Sequence, residues 1–177
     1  RHAVERVISE ERPELIFHMA AQAYVIPSWN DIEGTMKTNV MGAVYIFDAV
    51  KNAGINPTII VASSSAGYGQ TKEDEIPIKE TKEFRPSSPY AVSKIAMDMM
   101  SYLYARTYGM KIIRARIFNT VGPKKTGSAI ADFSKMIAEV ERGKADRIEV
   151  GNLDAVLDVT DGRDCVSALW VLAEKGR

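Results

Sequence analysis

Two side chains in the run Ser87-Ser88-Pro89-Tyr90-Ala91-Val92-Ser93-Lys94 have the types and spacing for proton transfer. Ser88 is suited to cap a helix and Pro89 to open its first turn. Val92, Ile95, Met99 and Leu103 then continue at helical spacing. Tyr90 and Lys94 thus fall at i and i+4, on one face and about 6 Å apart along the axis. A free phenol ionises near pH ~10 and is a poor base at neutrality. A neighbouring ammonium and the positive end of a helix both favour the phenolate. A hydroxyl from another segment could hold a substrate oxygen beside that phenol, and Ser63-Ser64-Ser65 lies upstream.

The elements that must position these groups follow from hydrophobic period. Residues 3–12 read as a helix, 14–19 as a buried strand, 29–53 as a long helix and 57–63 as a second strand. A polar loop over 64–88 leads to a helix over 89–108 and a strand over 111–117. A further loop precedes a helix near 128–142, a short strand at 147–150 and a closing helix at 161–174. Strands alternating with helices predict parallel β-α-β units in a doubly wound α/β sheet. The serines then sit at the carboxyl end of a strand, where ligands bind in open α/β sheets.

With 23 basic and 23 acidic residues, the chain has no net charge to build a broad nucleic-acid surface. No apolar run reaches membrane-spanning length, and no signal peptide opens the sequence. Cys165 is the single cysteine and shares a helical stripe with Ala168, Leu169 and Leu172, so burial is expected rather than reactivity. A reducing cytoplasm fits this usage. Two isolated histidines and one distant cysteine offer no metal-ligand spacing.

Six stretches in order resemble the extended short-chain dehydrogenase/reductases of the nucleotide-sugar epimerase/dehydratase group. They are Pro13-Glu14-Leu15-Ile16-Phe17-His18-Met19-Ala20-Ala21-Gln22, Asn39-Val40-Met41-Gly42 and Ser63-Ser64-Ser65-Ala66-Gly67-Tyr68-Gly69. Ser88 to Lys94, Arg116-Ile117-Phe118-Asn119-Thr120-Val121-Gly122-Pro123 and Gly151-Asn152-Leu153-Asp154 complete the set. The last two look closest to the branch of GDP-mannose dehydratases and GDP-keto-deoxymannose reductases.

The resemblance implies a Rossmann-like domain that binds NAD or NADP and a nucleotide-activated sugar as substrate. It gives Tyr90 the part of general acid/base, and Lys94 those of binding the nicotinamide ribose and supporting the phenolate. Counting back from Tyr68-Gly69 makes Ser64 the hydroxyl partner, while counting forward to Tyr90 makes it Ser65. Ser64 is favoured because its local motif aligns without a gap. Ala20, Ala21 and Gln22 match the segment that runs along the cofactor, and Asn39 a residue behind the site. Ser65, Asn119 and Lys125 match substrate-side positions, with Lys124 and Lys125 where the dehydratase branch carries two arginines.

Three departures shape the expectation. The family's glycine-rich turn between the first strand and helix is nowhere in the sequence, so an internal fragment lacking the first β-α unit is expected. On that view residues 1–125 form an incomplete cofactor-binding domain, and 126–177 combine part of a substrate lobe with a return to the main sheet. Active dehydratases place a carboxylate soon after the catalytic hydroxyl, whereas here Ser65, Ala66 and Gly67 follow. Leu157 stands before Asp158 where the family often has an arginine. Epimerase or reductase chemistry at sugar C4 is therefore expected ahead of 4,6-dehydration. An inactive binding or scaffolding remnant is the alternative of another class. The helix over 29–53 is apolar on more than one face, and with the helix after Tyr90 it predicts a homodimer.

Overall fold

The computed structural model describes residues 1–176 in two compact units, one of Arg1–Ile117 with the stretch from Ala168 onward, the other of Phe118–Ser167. The first unit is built on a three-stranded parallel sheet. Helix α1 (His2–Glu11) leads to β1 (Leu15–His18), and β2 (Thr58–Ser64) lies between β1 and β3 (Ile112–Ile117). Phe17 pairs with Ile60, and Val61 pairs with Arg114, so all three carboxyl ends emerge on one edge. Central β2 is apolar without alternation because both its faces are covered: Ile59, Ile60 and Val61 are wholly buried.

Helix α5 (Pro89–Tyr108) coincides with the span read from the sequence. Its ends are chemically marked. The Ser88 hydroxyl accepts the Ala91 amide at 3.1 Å, Pro89 occupies the first turn, and Gly109 takes the left-handed conformation that stops it. Phe47, Val50, Ile59, Val61 and Met97 form the centre of the core between sheet and helices.

The helix expected over 29–53 is instead a series. Helix α2 (Val25–Asn30) starts earlier, helped by Pro27 in its first turn, and Asp31 breaks it with φ −142° and ψ 82°. The Asp31 carboxylate caps α3 (Ile32–Met36) by accepting the Gly34 amide at 2.8 Å. A π-helical turn (Lys37–Met41) joins α3 to α4 (Gly42–Asn52). Such turns cluster at functional sites, and this one carries the wholly buried Asn39.

In the second unit, β4 (Asn119–Val121) pairs in parallel with β5 (Val159–Asp161), and α6 (Ala129–Glu141) lies between them in sequence. Helix α7 (Gly162–Lys175) closes the chain, and Cys165 on it is half-buried rather than enclosed. Two differences from the sequence reading concern strands. β4 and β5 are too short, at three residues each, to show a period. The strand expected at 147–150 is absent: those residues have no ladder partner among the described residues, and Ile148 and Val150 are exposed. Apolar residues alone do not make a strand without a neighbour to take its backbone groups.

Candidate functional site

Lys94 is 4% exposed, and its ammonium donates to the Ala62 carbonyl near the carboxyl end of β2 at 2.7 Å. Burial drives its pKa down from 10.5 to about 8. An ammonium has three protons; the other two meet no hydrogen-bond acceptor among the described residues. The same ammonium stands 6.0 Å from the centre of the Tyr90 ring. The Tyr90 ring is half-buried, and its hydroxyl makes no hydrogen bond to the described residues. One turn of α5 therefore presents a phenol and a cation with donor capacity left over.

The backbone carrying that turn is fixed from below. The Tyr90 amide donates to the Ser28 hydroxyl at 3.1 Å, which in turn donates to the Val25 carbonyl. The Ser93 hydroxyl donates to the Tyr90 carbonyl at 2.7 Å and accepts from the Asn39 amide at 2.8 Å. Asn39 also clamps the backbone of Gln22, accepting its N–H at 2.8 Å and donating to its carbonyl at 3.0 Å. The π-helical turn thus ties α5 to the segment that leaves β1. The Gln22 side-chain amide is committed to Tyr24 and Thr35, so it serves this segment's shape. Just before it, Ala20 is exposed and Ala21 half-buried.

The serine triplet separates by environment. Ser63 is buried and pairs in register with Arg116 of β3. Ser64 ends β2 and caps the 3-10 turn Ser65–Tyr68, its oxygen accepting the Ala66 amide at 3.2 Å. Its own proton remains for an outside acceptor. Ser65, half-buried, opens that turn. Ser64, Ser65, Tyr90, Lys94, Ala20, Ala21 and Gln22 all belong to the first unit; Asn119 and Lys125 belong to the second. Asn119 begins β4 and its amide donates to the Asp158 carbonyl at 3.2 Å, bracing the short sheet. Lys125 is exposed in the turn whose amide reaches the Gly122 carbonyl at 3.2 Å.

The loop after the serines is shaped by local necessities. At Gly69, with φ +64°, a β-carbon would sit 1.9 Å from the Arg85 carbonyl oxygen, so only glycine fits. Glu75 accepts from the Lys72 amide at 2.9 Å, Lys82 at 2.7 Å and Arg85 at 3.1 Å. These contacts, the Lys72 amide first, pull its carboxyl down to about 2.

His18, at the carboxyl end of β1, is a residue the sequence reading did not single out. It is 6% exposed, and its Nε2 has no hydrogen-bond partner among the described residues. Burial, then the charge of Lys94, lowers its pKa from 6.5 to about 4. As pH falls through that window the unfolded chain takes up a proton that the folded chain refuses, so stability falls. The loss amounts to about 3 kcal/mol at 1.36 kcal/mol per unit. His18→Leu is expected to flatten the stability profile over that range in urea titrations. An unchanged slope would contradict the assignment.

Among the described residues no helix is long and apolar enough to cross a membrane. Comparison with known proteins gives one consistent answer. The family model for GDP-mannose 4,6 dehydratase matches residues 1–177. The chain is 35% identical over 168 residues to the GDP-6-deoxy-D-mannose reductase of Pseudomonas aeruginosa, covering 94% of this chain and 55% of that protein. The structure of RMD from Pseudomonas aeruginosa complexed with NADPH superposes with a TM-score of 0.89 at 35% identity, over 93% of this chain and 57% of that one. The UDP-glucose 4-epimerase of Thermotoga maritima, solved with UDP-glucose, gives 0.87 at 30% identity over 99% of this chain and 56% of that one. The chain spans about half the length of the curated relatives it matches. With a parallel α/β sheet, a Tyr-Lys turn at its carboxyl edge and a match along its whole length, the chain belongs to the GDP-mannose 4,6 dehydratase family.

Proposed function

We propose that this chain carries the proton-transfer centre of an NAD(P)-dependent epimerase or reductase acting at C4 of a nucleotide-activated sugar. The observation that carries the reading is the Tyr90–Lys94 turn, with its unpaired phenol and spare ammonium protons beside the uncommitted Ser64 hydroxyl proton. In the oxidative direction Tyr90 takes the C4 hydroxyl proton, Ser64 donates to the same oxygen, and Lys94 supports the phenolate. In reduction the same phenol returns the proton to the new alkoxide.

The residues fit a nicotinamide dinucleotide. Ala20 and Ala21 leave a strand's carboxyl end with no side chain beyond the β-carbon to obstruct a ligand, and Lys94 has donors for ribose hydroxyls. The bound dinucleotide would supply the hydride acceptor or donor. Ser65, Asn119 and Lys125 are assigned to the substrate side, Lys125 as a point charge for phosphate. In this reading residues 1–125 are the incomplete cofactor domain, and 126–177 mix substrate lobe with the return to the main sheet.

Epimerase or reductase chemistry is favoured over elimination because Ser65, Ala66 and Gly67 supply no carboxyl group for the C5 proton. The nearby Glu75 is locked to Lys82 and Arg85. The family model's own description favours the dehydratase as the second reading. Incubating the full-length protein separately with GDP-mannose and UDP-glucose, and following products by NMR, decides between them. A 4-keto-6-deoxy sugar from either substrate would overturn the preference for epimerase or reductase.

The working unit is proposed to be a cytoplasmic homodimer. Trp29, Ile32 and Met41 remain exposed on α2, α3 and the π-helical turn, as do Val92, Met99 and Leu103 on α5. Trp29, Ile32, Met36, Pro89 and Val92 line an open groove of about 450 Å³. A second copy that pairs these helices would cover them. Light scattering of the full-length protein at micromolar concentration is expected to give twice the monomer mass, and a monomer would refute the pairing.

A further inference from the structure

Asp98 lies one turn beyond Lys94 on α5 and is 0% exposed. Arg114 donates to it at 2.8 Å, and Arg116 donates twice, at 3.0 and 3.1 Å. Burial alone would raise the carboxyl pKa; the bonds and charge of Arg116, with the charge of Arg114, outweigh it and hold the group below its usual value. Arg116 also donates to the Tyr68 hydroxyl at 2.9 Å and the Glu80 carbonyl at 2.7 Å. Its guanidinium sits 4.7 Å from the centre of the Phe84 ring. One ionic cluster therefore joins α5, β3 and the loop that follows the serines.

Stability is a weak reason for such a cluster. Removing these charges from water costs several kcal/mol per ion, and apolar side chains of similar volume often serve as well. What a fully satisfied buried network supplies is a fixed geometry. Its anchors lie on either side of Ser64: Ser63, immediately before it, is the register partner of Arg116 on β3, and Tyr68 accepts from Arg116 at the end of the turn that Ser64 caps. On the other side, Asp98 shares its helix with Tyr90 and Lys94.

We infer that Asp98 and Arg116 are positioning residues, clamping the end of β2 to α5 so that the Ser64 hydroxyl and the Tyr90 phenol meet one substrate oxygen. This rests on the proposed function of the site. Neither residue touches substrate; both act through Ser64. Since proton transfer requires hydrogen-bond reach, and small misplacements cost rate steeply, loosening the clamp lowers kcat and leaves binding nearly intact.

The test uses the full-length holoenzyme and a double-mutant cycle on kcat. Tyr68→Phe, which removes the hydroxyl that accepts from Arg116, is the mild variant; Asp98→Asn keeps the shape and removes the charge. Tyr68→Phe is expected to lower kcat about 10-fold, while KM for the sugar nucleotide moves less than about 2-fold. In a Ser64→Ala background the same substitution is expected to have no further effect, because the group being positioned is gone. Asp98→Asn is expected to show the same non-additivity, provided thermal unfolding confirms the fold. A Tyr68→Phe enzyme at the parent rate, or one whose loss multiplies fully with that of Ser64→Ala, overturns the clamp. If Tyr90→Phe and Ser64→Ala are themselves strongly slowed in that experiment, the proposed function survives the failure. Full activity in both of those would instead overturn the function and the clamp together.

Discussion

Tyr90→Phe is expected to lower kcat for hydride transfer by about 10²–10⁴-fold, the range associated with losing a general acid/base. No other group in the site can replace it. Ser64 has an oxygen that is not readily ionised, Lys94 is held at the Ala62 carbonyl as a donor and charge support, and His18 is buried with a pKa near 4. The fold should be untouched, since the phenol makes no hydrogen bond to the described residues and the ring is retained. KM should move little, because a ground-state hydroxyl exchanges only one hydrogen bond with the phenol. Steady-state kinetics with thermal unfolding on the same sample checks both parts. A variant that keeps most of its turnover contradicts the assignment of Tyr90.

Lys94→Met separates function from stability in the opposite direction. Activity is expected to fall by at least about 10²-fold, as the phenolate loses its neighbouring cation and the cofactor its ribose donor. Stability should rise at neutral pH. Folding depresses the lysine pKa from 10.5 to about 8, so below pH 8 the folded protein carries a charge it would hold more easily unfolded. That burden is about 3 kcal/mol at 1.36 kcal/mol per unit, fully present below pH ~8 and relieved as pH rises toward ~10.5. Loss of the bond to Ala62 offsets part of the gain. The variant should therefore gain about 1–2 kcal/mol at neutrality, less as the buffer becomes alkaline. Urea midpoints across that range would show it. A destabilised variant at neutral pH would mean that the buried ammonium holds the fold together.

The Tyr90–Lys94 pair was legible because helix chemistry is local: a cap, a proline and a four-residue interval place both groups without knowledge of the rest. The parallel sheet was legible for the same reason, since the centre of the strand read over 57–63, residues 59–62, is apolar without alternation, as a strand covered on both faces is. What the sequence concealed depends on partners far along the chain. Asn39 reaches Gln22 and Ser93, and Arg116 reaches Asp98 and Tyr68, across separations that no periodicity records. One trace of the clamp was present: Arg114 and Arg116 alternate with Ile113 and Ala115 on a mostly apolar strand, and two cations on one buried face demand an acid. The helix over 29–53 misled because its apolar pattern runs through Asp31 unbroken, while the side chain there prefers to cap a new helix. The strand at 147–150 was misread because composition cannot state whether a neighbour exists.

Isotope tracing tests the central claim most directly, because it follows the one bond the site is proposed to make and break. The full-length protein is incubated with a 4-keto-6-deoxy sugar nucleotide and a reduced dinucleotide deuterated at its transferable position. A parallel incubation uses oxidised dinucleotide and a sugar nucleotide deuterated at C4. Deuterium is expected at sugar C4 in the first product and on the nicotinamide in the second, with both transfers lost in Tyr90→Phe. Deuterium on a different sugar carbon, or no transfer in either direction with the fold intact, would contradict hydride transfer at C4.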